Sequence, residues 1–517
     1  MDQQIAAVLD TSDTDIGARA RAEMVLERAR WAAQVFGRYD RARTQAIVEK
    51  TAEAAFRKAG EYGDWAVRET GFGVAEHKKI KNELSSVPLV QHYREWDFVN
   101  ARYNEEGRVV EIPRPAGVIF ALAPSTNPIS TIYFKTLIAL MTRNAVVLSP
   151  HPAARECSID AARTLADAAE SAGAPEGAVQ VVDKPNLRLI NQFMRSEQTD
   201  LILATGGASM VRAAYSSANP AIGVGPGNAP VMVDVTADLR QAAADIVASK
   251  SFDNSILCTN ESVLITLEEV AKPLIRELER AGCHICGDEE TAALRRYLFH
   301  AGGFNIEALG RDARFIAERA GIKVSSKTKV IITQIDAIGV GEDLSREKLC
   351  PVLGLYVAHS KGQALSAARQ LLRFAGAGHS AAIHSKDPAM AVEYGAAVEV
   401  YRVVVNAPCS QGAAGFGTTL GPTFTIGTGF FGRSSIGENL GPQHLVHWTR
   451  IAWSSETIPS IGTRDLLGLK HPGPLAEAPA DGVPGKGRTT PAGPRTGDLR
   501  DEIRRMVAEE LRRALKS

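Results

Sequence analysis

The order of apolar and polar residues divides the chain into a helical first part and a longer part of mixed type. From about residue 17 to 85 the chain is rich in Ala, Arg, Glu and Lys, and apolar residues recur at helical spacing, as at 31–36. This spacing predicts several amphipathic helices. An apolar run at 108–113 follows and predicts a strand that ends at a proline.

Beyond this strand, short apolar runs alternate with helical stretches. The alternation predicts a doubly wound parallel α/β sheet, because parallel neighbours need a crossover connection between them. The predicted strands are 117–122, 145–149, 178–182, 201–204 and 221–224. A second α/β region follows, with predicted strands at 230–234, 381–384 and 403–406.

Small, polar and glycine-rich residues follow the predicted strands of the first sheet. In parallel sheets the carboxyl ends of the strands meet at one edge, where ligands bind. The sequence therefore predicts a ligand site on this edge. It has no G-x-G-x-x-G fingerprint, so a conventional dinucleotide phosphate loop is not supported.

Composition narrows the class of protein. The chain has 517 residues, enough for two or three domains, and its 59 basic and 59 acidic residues balance. A net charge of zero gives no reason to expect nucleic acid or an anionic membrane as a partner. Six cysteines without a signal-peptide pattern, and no apolar run of roughly 20 residues, favour a cytoplasmic protein without a membrane span.

Two residues stand out for their chemistry. Cys258 lies between a helical pattern and a strand pattern. Its thiolate could add to an aldehyde and form a thioester after loss of hydride, whereas the structural alternative is a small buried hydrophobic residue. Asn127 follows a predicted strand and precedes Pro128. Its amide could donate to an oxyanion or cap the next helix, and both roles are compatible.

The segments around these residues resemble those of a known family. Phe-Asp-Asn-x-x-x-Cys at 252–258 and Thr-Asn-Pro at 126–128 are similar to the nucleophile and oxyanion segments of CoA-acylating aldehyde dehydrogenases. The resemblance covers roughly residues 20–470 and implies that fold, with a Rossmann-like cofactor domain beside an α/β catalytic domain.

The resemblance also implies a division of the chain. The cofactor-binding domain would comprise 17–227 with a return segment at 421–445, and the catalytic domain would comprise 228–420. A hairpin near 104–115 and the segment 446–470 would mediate assembly into a homodimer or homotetramer.

The resemblance assigns roles to individual residues. Cys258 would be the nucleophile, and the side chain of Asn127 with the backbone N–H of Cys258 would form the oxyanion hole. Glu347, in a Glu-x-x-x-Pro element, would hold the nicotinamide ribose of NAD; an unpaired surface glutamate is the alternative.

Further residues would contact the rest of the cofactor. Thr205, Gly206 and Gly207 match a loop that lets the diphosphate approach a helix N-terminus. Ser149 and His151 stand where the superfamily usually has a lysine-containing segment, and this departure keeps NADP open as an alternative to NAD.

The stretch 223–228 departs from the hydrolytic relatives, which carry a water-activating glutamate at the end of the fifth strand. Here it reads Gly-Val-Gly-Pro-Gly-Asn, without an acid. The thioester would then await a thiol such as coenzyme A. His379 or His384, in a segment that also resembles the acylating branch, could accept the proton of that thiol; a structural role is equally consistent for each.

Cys283 and Cys286 form one C-x-x-C pair without a second ligand pair, so no metal site is expected.

The composition changes after residue 470. Residues 471–497 contain six prolines and six glycines, which predict a flexible linker. Residues 498–517 regain a helical pattern with a broad apolar face.

An amphipathic helix on such a linker resembles the peptides that direct enzymes into bacterial microcompartments. This resemblance implies a shell protein as partner of 498–517 and a location in the compartment lumen. The alternative is a helix that packs on the protein's own core or forms a short coiled coil. Together these features predict oxidation of a short aldehyde such as propionaldehyde to its acyl-CoA. The rivals are a hydrolytic dehydrogenase that produces a free acid and a catalytically silent cargo or scaffold protein.

Overall fold

The computed structural model describes residues 14–104, 109–300 and 303–454. The predicted linker 471–497, the helix 498–517 and the part of 446–470 beyond residue 454 lie outside these ranges. Among the described residues, no helix is both long and apolar enough to cross a bilayer.

The first part of the chain is helical, as predicted. Two of its helices begin at capping side chains, since Thr14 Oγ1 accepts from Gly17 N at 3.1 Å and Asp40 Oδ1 accepts from Arg43 N at 2.8 Å. The helices are α1 (Asp15–Phe36), α2 (Arg41–Arg57), α3 (Ala59–Thr70), α4 (Ala75–Leu84) and α5 (Val87–His92).

The first parallel sheet contains five strands and lies between helices. Every residue of the central strand β3 and of its neighbour β4 is buried, which is typical of a parallel sheet covered on both faces. Its strands are β3 (Val118–Leu122), β4 (Ala145–Ser149), β5 (Val179–Val181), β6 (Leu201–Thr205) and β7 (Ala221–Val224), in the order β5-β4-β3-β6-β7. The connecting helices are α6 (Pro128–Met141), α7 (Arg155–Ser171), α8 (Leu187–Arg195) and α9 (Ala208–Tyr215).

The second parallel sheet has seven strands. Two hydrophobic cores, one on each face, pack it against helices. Its strands are β8 (Ala229–Val233), β9 (Glu261–Leu267), β10 (Cys283–Ile285), β13 (Val330–Gln334), β14 (Val352–Ala358), β15 (Ala381–His384) and β16 (Val403–Val405), in the order β10-β13-β14-β9-β8-β15-β16. The helices are α10 (Leu239–Ser251), α11 (Glu268–Ala281), α12 (Asp288–Leu298), α13 (Ala313–Ala320), α14 (Lys361–Phe374), α15 (Pro388–Ala397) and α16 (Cys409–Gly412), and β11 (Phe299–His300) pairs with β12 (Gly303–Phe304).

A loop of four residues, 225–228, joins the carboxyl end of β7 directly to the amino end of β8. This short connection brings the carboxyl edge of the first sheet to the amino edge of the second. Residues between 421 and 445 return to the first sheet, where Ser434 Oγ donates to the Gly223 carbonyl at 2.6 Å. Residues that precede strands of the second sheet therefore face residues that follow strands of the first.

A separate antiparallel sheet is built from β1 (Arg102–Asn104), β2 (Val109–Pro115) and β17 (Val446–Ala452). Strand β2 runs two residues past Pro113, where the sequence pattern predicted its end, and it pairs with β17 along its whole length. The sheet unites the two segments that the resemblance assigned to oligomerisation. The predicted α/β class with two parallel sheets is confirmed.

Candidate active site

Cys258 follows a turn with unusual backbone geometry. Three consecutive residues, Asp253, Asn254 and Ser255, have φ angles of 48°, 51° and 65°. This left-handed region is uncommon for residues with a side chain, although Asp and Asn tolerate it best. The three residues lie in a short 3-10 segment (Phe252–Ser255) between helix α10 and strand β9. We call this segment and the following residues up to Cys258 the nucleophile turn.

Hydrogen bonds from distant parts of the chain hold the nucleophile turn. Asp253 Oδ1 accepts from Val74 N at 2.7 Å, and Asp253 N donates to His77 Nδ1 at 2.9 Å. Asn254 Nδ2 donates to the Gly310 carbonyl at 2.9 Å. A strained backbone conformation persists only where the surrounding structure fixes it, and these hydrogen bonds fix the turn.

The environment of Cys258 disfavours its thiolate in the free protein. Burial raises the pKa of this thiol to about 12, and the carboxylate of Glu347 adds to the rise, while Arg402 and Lys81 oppose it. Cys258 is therefore a protonated thiol at neutral pH in the free protein.

Asn127 lies just before helix α6, as the sequence predicted. Its side chain makes no capping hydrogen bond to the helix. Instead, Asn127 Oδ1 accepts a hydrogen bond of 2.6 Å from Lys81 Nζ. The helix-cap alternative is thus not realised, and the carboxamide is held from the side by helix α4.

Gly227 allows Glu347 and the nucleophile turn to meet. A Cβ at this position would collide with the carbonyl oxygen of Cys258 and would lie 3.3 Å from Glu347 Oε1. Burial raises the pKa of Glu347 to about 8, although Lys250 and the backbone N–H of Gly227 act in the opposite direction. Glu347 is therefore a half-buried carboxyl group close to Cys258 rather than a fully exposed surface glutamate.

The predicted cofactor residues lie at the carboxyl edge of the first sheet. Ser149 ends β4 and is buried, whereas His151 is exposed and its Nδ1 accepts from Ala153 N at 3.1 Å. Thr205 ends β6, and Gly206 and Gly207 lead into helix α9.

This edge has features that fit a dinucleotide. Ser149 Oγ is a buried polar atom without a hydrogen-bond partner among the described residues. A Cβ at Gly207 would meet no atom within 4 Å, so there is space beside the N-terminus of α9. Thr205 Oγ1 lies 3.4 Å from Thr425 Oγ1, which brings the return segment to the same edge.

The two candidate histidines lie at opposite ends of strand β15. His379 precedes β15, at the same sheet edge as Cys258, and Arg402 donates to its carbonyl oxygen. His384 ends β15 and pairs with Val233, the last residue of β8. Cys258 instead lies just before β9, whose first residue, Glu261, pairs with Ala229 at the start of β8. Four residues of strand, about 13 Å, separate those two ends. The structure does not bring His384 to the thiol.

Burial changes the basicity of both imidazoles. It lowers the pKa of His379 to about 3, with help from Arg402, and lowers the pKa of His384 to about 4. His379 Nδ1 lies 3.0 Å from Ser380 Oγ, and its Nε2 has no protein partner within the described ranges. Either imidazole is neutral at physiological pH.

The C-x-x-C pair is divided between the two faces of the second sheet. Cys283 packs against one core of the second sheet, and Cys286 belongs to the other. The structure instead groups potential ligand atoms of His284, Cys286 and Glu290 within 4.8 Å of one another. Glu290 Oε2 already contacts His284 Nε2 at 3.0 Å and accepts from Gly287 N at 3.2 Å. These contacts give the group a structural explanation.

Sequence reasoning missed a cluster of buried charges beneath the nucleophile turn. Lys78 and Lys81 lie one turn apart on α4, and both contact Asp253 Oδ2. All three side chains are almost fully buried. In the sequence the lysines belong to Lys-Lys-Ile-Lys at 78–81, which has the appearance of a solvent-facing stretch, so only the i, i+3 spacing pointed to a shared face.

Comparison with known proteins identifies the fold. The profile described as "Aldehyde dehydrogenase family" matches residues 11–290, more than half of the chain. The chain belongs to the aldehyde dehydrogenase family. An aldehyde-alcohol dehydrogenase of Clostridium acetobutylicum is 37% identical over 429 residues, which are 82% of this chain and 50% of that protein. The chain thus spans about half the length of the curated relatives it matches first.

Solved structures of aldehyde dehydrogenases match over nearly their whole length. An acetylating aldehyde dehydrogenase from Geobacillus thermoglucosidasius superposes with a TM-score of 0.83 at 35% identity, covering 86% of this chain and 99% of that chain. A propionaldehyde dehydrogenase from the fucose utilisation microcompartment of Clostridium phytofermentans has a TM-score of 0.76 at 32% identity, covering 83% and 96%. A propionaldehyde dehydrogenase of Rhodopseudomonas palustris, with bound CoA and an acylated cysteine, has a TM-score of 0.75 at 28% identity, covering 84% and 97%.

Proposed function

We propose that this protein is a CoA-acylating aldehyde dehydrogenase that converts a short aldehyde, CoA and NAD+ to acyl-CoA and NADH. Propionaldehyde is the substrate we favour, and NADP+ is the alternative cofactor. The observation that carries the proposal is the convergence of Cys258, Asn127 and Glu347 at the junction of the two sheets, next to a segment at 223–228 that contains no acid.

In the proposed reaction, the Cys258 thiol releases its proton to solvent as Sγ attacks the aldehyde carbon, and the N–H groups of the Asn127 side chain and the Cys258 backbone stabilise the resulting oxyanion. A nicotinamide cofactor, when bound, would supply the acceptor for the hydride that leaves this carbon. The oxyanion collapses to a thioester on Cys258. The sulfur of CoA then attacks the same carbonyl and displaces Cys258 Sγ, and the proton of the CoA thiol passes to a base.

His379 is the candidate for that base, because it lies at the same sheet edge as Cys258. Its burial makes it a weak acceptor in the free protein. We propose that it acts only when CoA occupies the site and changes its surroundings. Glu347 is proposed to hold the nicotinamide ribose, and the residues of the cofactor edge are proposed to contact the rest of the dinucleotide.

The test is NADH formation with and without CoA. With aldehyde and NAD+ alone, the protein should form about one NADH per active site and then nearly stop, because no water-activating acid lies in the loop. Mass spectrometry should find the acyl group on the peptide containing Cys258. Continued free-acid formation at the rate of the CoA reaction would contradict the proposal.

One observation favours the hydrolytic rival enough to be tested beside it. Glu347 is a carboxyl group of raised pKa, and its charge in turn raises the pKa of Cys258. It could activate water in place of the missing glutamate. If it does, Glu347→Gln should abolish any free-acid formation while preserving acylation of Cys258.

We also propose that residues 498–517 direct the protein into a microcompartment. The support is the amphipathic pattern of that segment behind a Pro/Gly-rich linker, together with the microcompartment propionaldehyde dehydrogenase among the similar structures. The test is to fuse 498–517 to a fluorescent protein and to follow its recruitment to shells. A diffuse reporter in the presence of intact cognate shells would contradict this proposal.

A further inference from the structure

The contact between Lys81 and Asn127 determines which way the Asn127 carboxamide faces. Lys81 Nζ lies 2.6 Å from Asn127 Oδ1. A lysine ammonium carries three donors and no acceptor, so only the oxygen of the carboxamide can face it. The nitrogen, which lies in the same plane as the oxygen but on the other branch of the carboxamide, therefore points away from the ammonium. This orientation makes the N–H protons of Asn127 available away from the ammonium.

Asn127 Nδ2 is only weakly engaged by its protein surroundings. Its hydrogen bond is to Thr126 Oγ1 at 3.3 Å, close to the outer limit for such bonds. An NH2 group has two protons, and this contact uses at most one of them. The second proton is available for an oxyanion, provided that the amide does not rotate by half a turn.

The same ammonium also contacts the nucleophile turn. Lys81 Nζ is paired with Asp253 Oδ2, and both side chains are at most 3% exposed. Asp253 in turn holds the strained turn through its Oδ1 contact with Val74 N. One buried cation thus joins the residue that would stabilise the oxyanion to the turn that presents the thiol, although they lie in different parts of the sequence.

We propose that Lys81 is a positioning residue of the active site, which locks the Asn127 carboxamide with its N–H groups toward the oxyanion and couples it to the nucleophile turn. The proposal rests on the function proposed above. Lys81 itself does not touch the reacting atoms. Because Lys81 acts through Asn127, its removal should lower the rate only in proteins that retain the Asn127 side chain.

Lys78 provides a matched comparison within the same cluster. Its Nζ contacts Asp253 Oδ2 at 3.2 Å and donates to the Thr126 carbonyl at 3.2 Å, but it makes no described contact with the side chain of Asn127. Both lysines are equally buried. Replacing either one by methionine removes one buried ammonium and leaves Asp253 paired with the other lysine.

The experiment compares Lys81→Met, Lys78→Met and Asn127→Ala in the full-length protein. The readout is the rate of the first NADH turnover with propionaldehyde and NAD+ in the absence of CoA. Loss of one oxyanion donor typically costs a hundredfold or more, so we expect Asn127→Ala and Lys81→Met each to slow this step by about a hundredfold. Lys78→Met should slow it by less than about tenfold.

A double variant separates positioning from general structural support. If Lys81 acts through Asn127, then Lys81→Met should have almost no further effect in the Asn127→Ala background. A purely structural role would instead lower the rate by the same factor in both backgrounds. Equal losses in Lys81→Met and Lys78→Met, or additive losses in the double variant, would overturn the proposal.

Two controls make the result unambiguous. If Lys81→Met does not fold, Lys81→Gln carries the same cycle: its carboxamide can donate to Asn127 but can also accept, so it permits both orientations and should give an intermediate loss. If the wild-type protein itself fails to form NADH, the proposed function fails, whatever the variants do. Normal wild-type turnover with unaffected Lys81 variants would remove the positioning role alone.

Discussion

The close approach of Gly227 to the nucleophile turn provides a sharp test of the active-site geometry. In Gly227→Ala, the new Cβ would collide with the carbonyl oxygen of Cys258. The obstacle is backbone, so no flexible side chain can move aside. Removing the overlap requires a backbone shift on the order of 1 Å, and a displacement of this size can cost about a hundredfold in rate.

The expected cost in stability is smaller than the cost in rate. Overpacking of this kind typically destabilises a protein by about 1–3 kcal/mol. For a domain of about 200 residues we expect the melting temperature to fall by only several degrees, on the order of 2–4 °C per kcal/mol. The variant should therefore remain folded at 25 °C while its first NADH turnover slows by about thirtyfold to a hundredfold.

Gly225→Ala is the matched control, two residues away in the same loop. A Cβ at Gly225 would have Thr428 Oγ1 as its nearest neighbour at 4.0 Å, which is ordinary contact distance. Rapid-mixing measurement of NADH formation and thermal unfolding should be carried out on both variants. We expect Gly225→Ala to stay within about threefold of wild type in rate. A wild-type first turnover in Gly227→Ala would refute the inferred proximity of Gly227 and Cys258.

Three further predictions concern the thiol, the histidines and the tail. Cys258→Ala should abolish acyl-CoA formation and leave cofactor binding intact. In the free wild-type protein, the rate at which iodoacetamide alkylates Cys258, followed by peptide mass spectrometry, should still rise about tenfold per pH unit at pH 9, because burial holds the thiol pKa near 12. A plateau of this rate between pH 8 and 9 would contradict that environment. His379→Ala should slow transfer of the acyl group to CoA more than it slows the CoA-independent first NADH turnover. His384→Ala, at the far end of the sheet, should change neither rate beyond its effect on stability. Equal kinetic effects of these two variants would argue against His379 as base. Removal of the residues after His471 should leave specific activity and oligomeric state unchanged, as measured by steady-state assay and light scattering, and loss of either would assign the removed part to the enzyme itself.

Local patterns were sufficient for the fold class and for proposing the central residues. Strands β4 and β7 have the bounds that the sequence predicted, because a buried parallel strand is a short apolar run between turn residues. Helix α6 begins at Pro128, and Asn127 lies at the turn before it, as the proline indicated. Cys258 and Glu347 were proposed because their neighbours along the chain resemble known motifs, and this information is local in the sequence.

The tertiary structure decided the contacts between residues that are far apart in the sequence. Lys81 and Asp253 are 172 positions apart, and apart from the i, i+3 spacing to Lys78 nothing near Lys81 distinguishes it from a solvent-exposed lysine. The choice between His379 and His384 depended on which end of β15 faces the junction, and strand pairing alone determines this. Likewise, Gly227 matters because two sheets meet there. A sequence reveals periodicity and motifs, but it does not reveal which distant side chains share one buried, low-dielectric space, and that sharing sets the orientation of Asn127 and the pKa of Cys258.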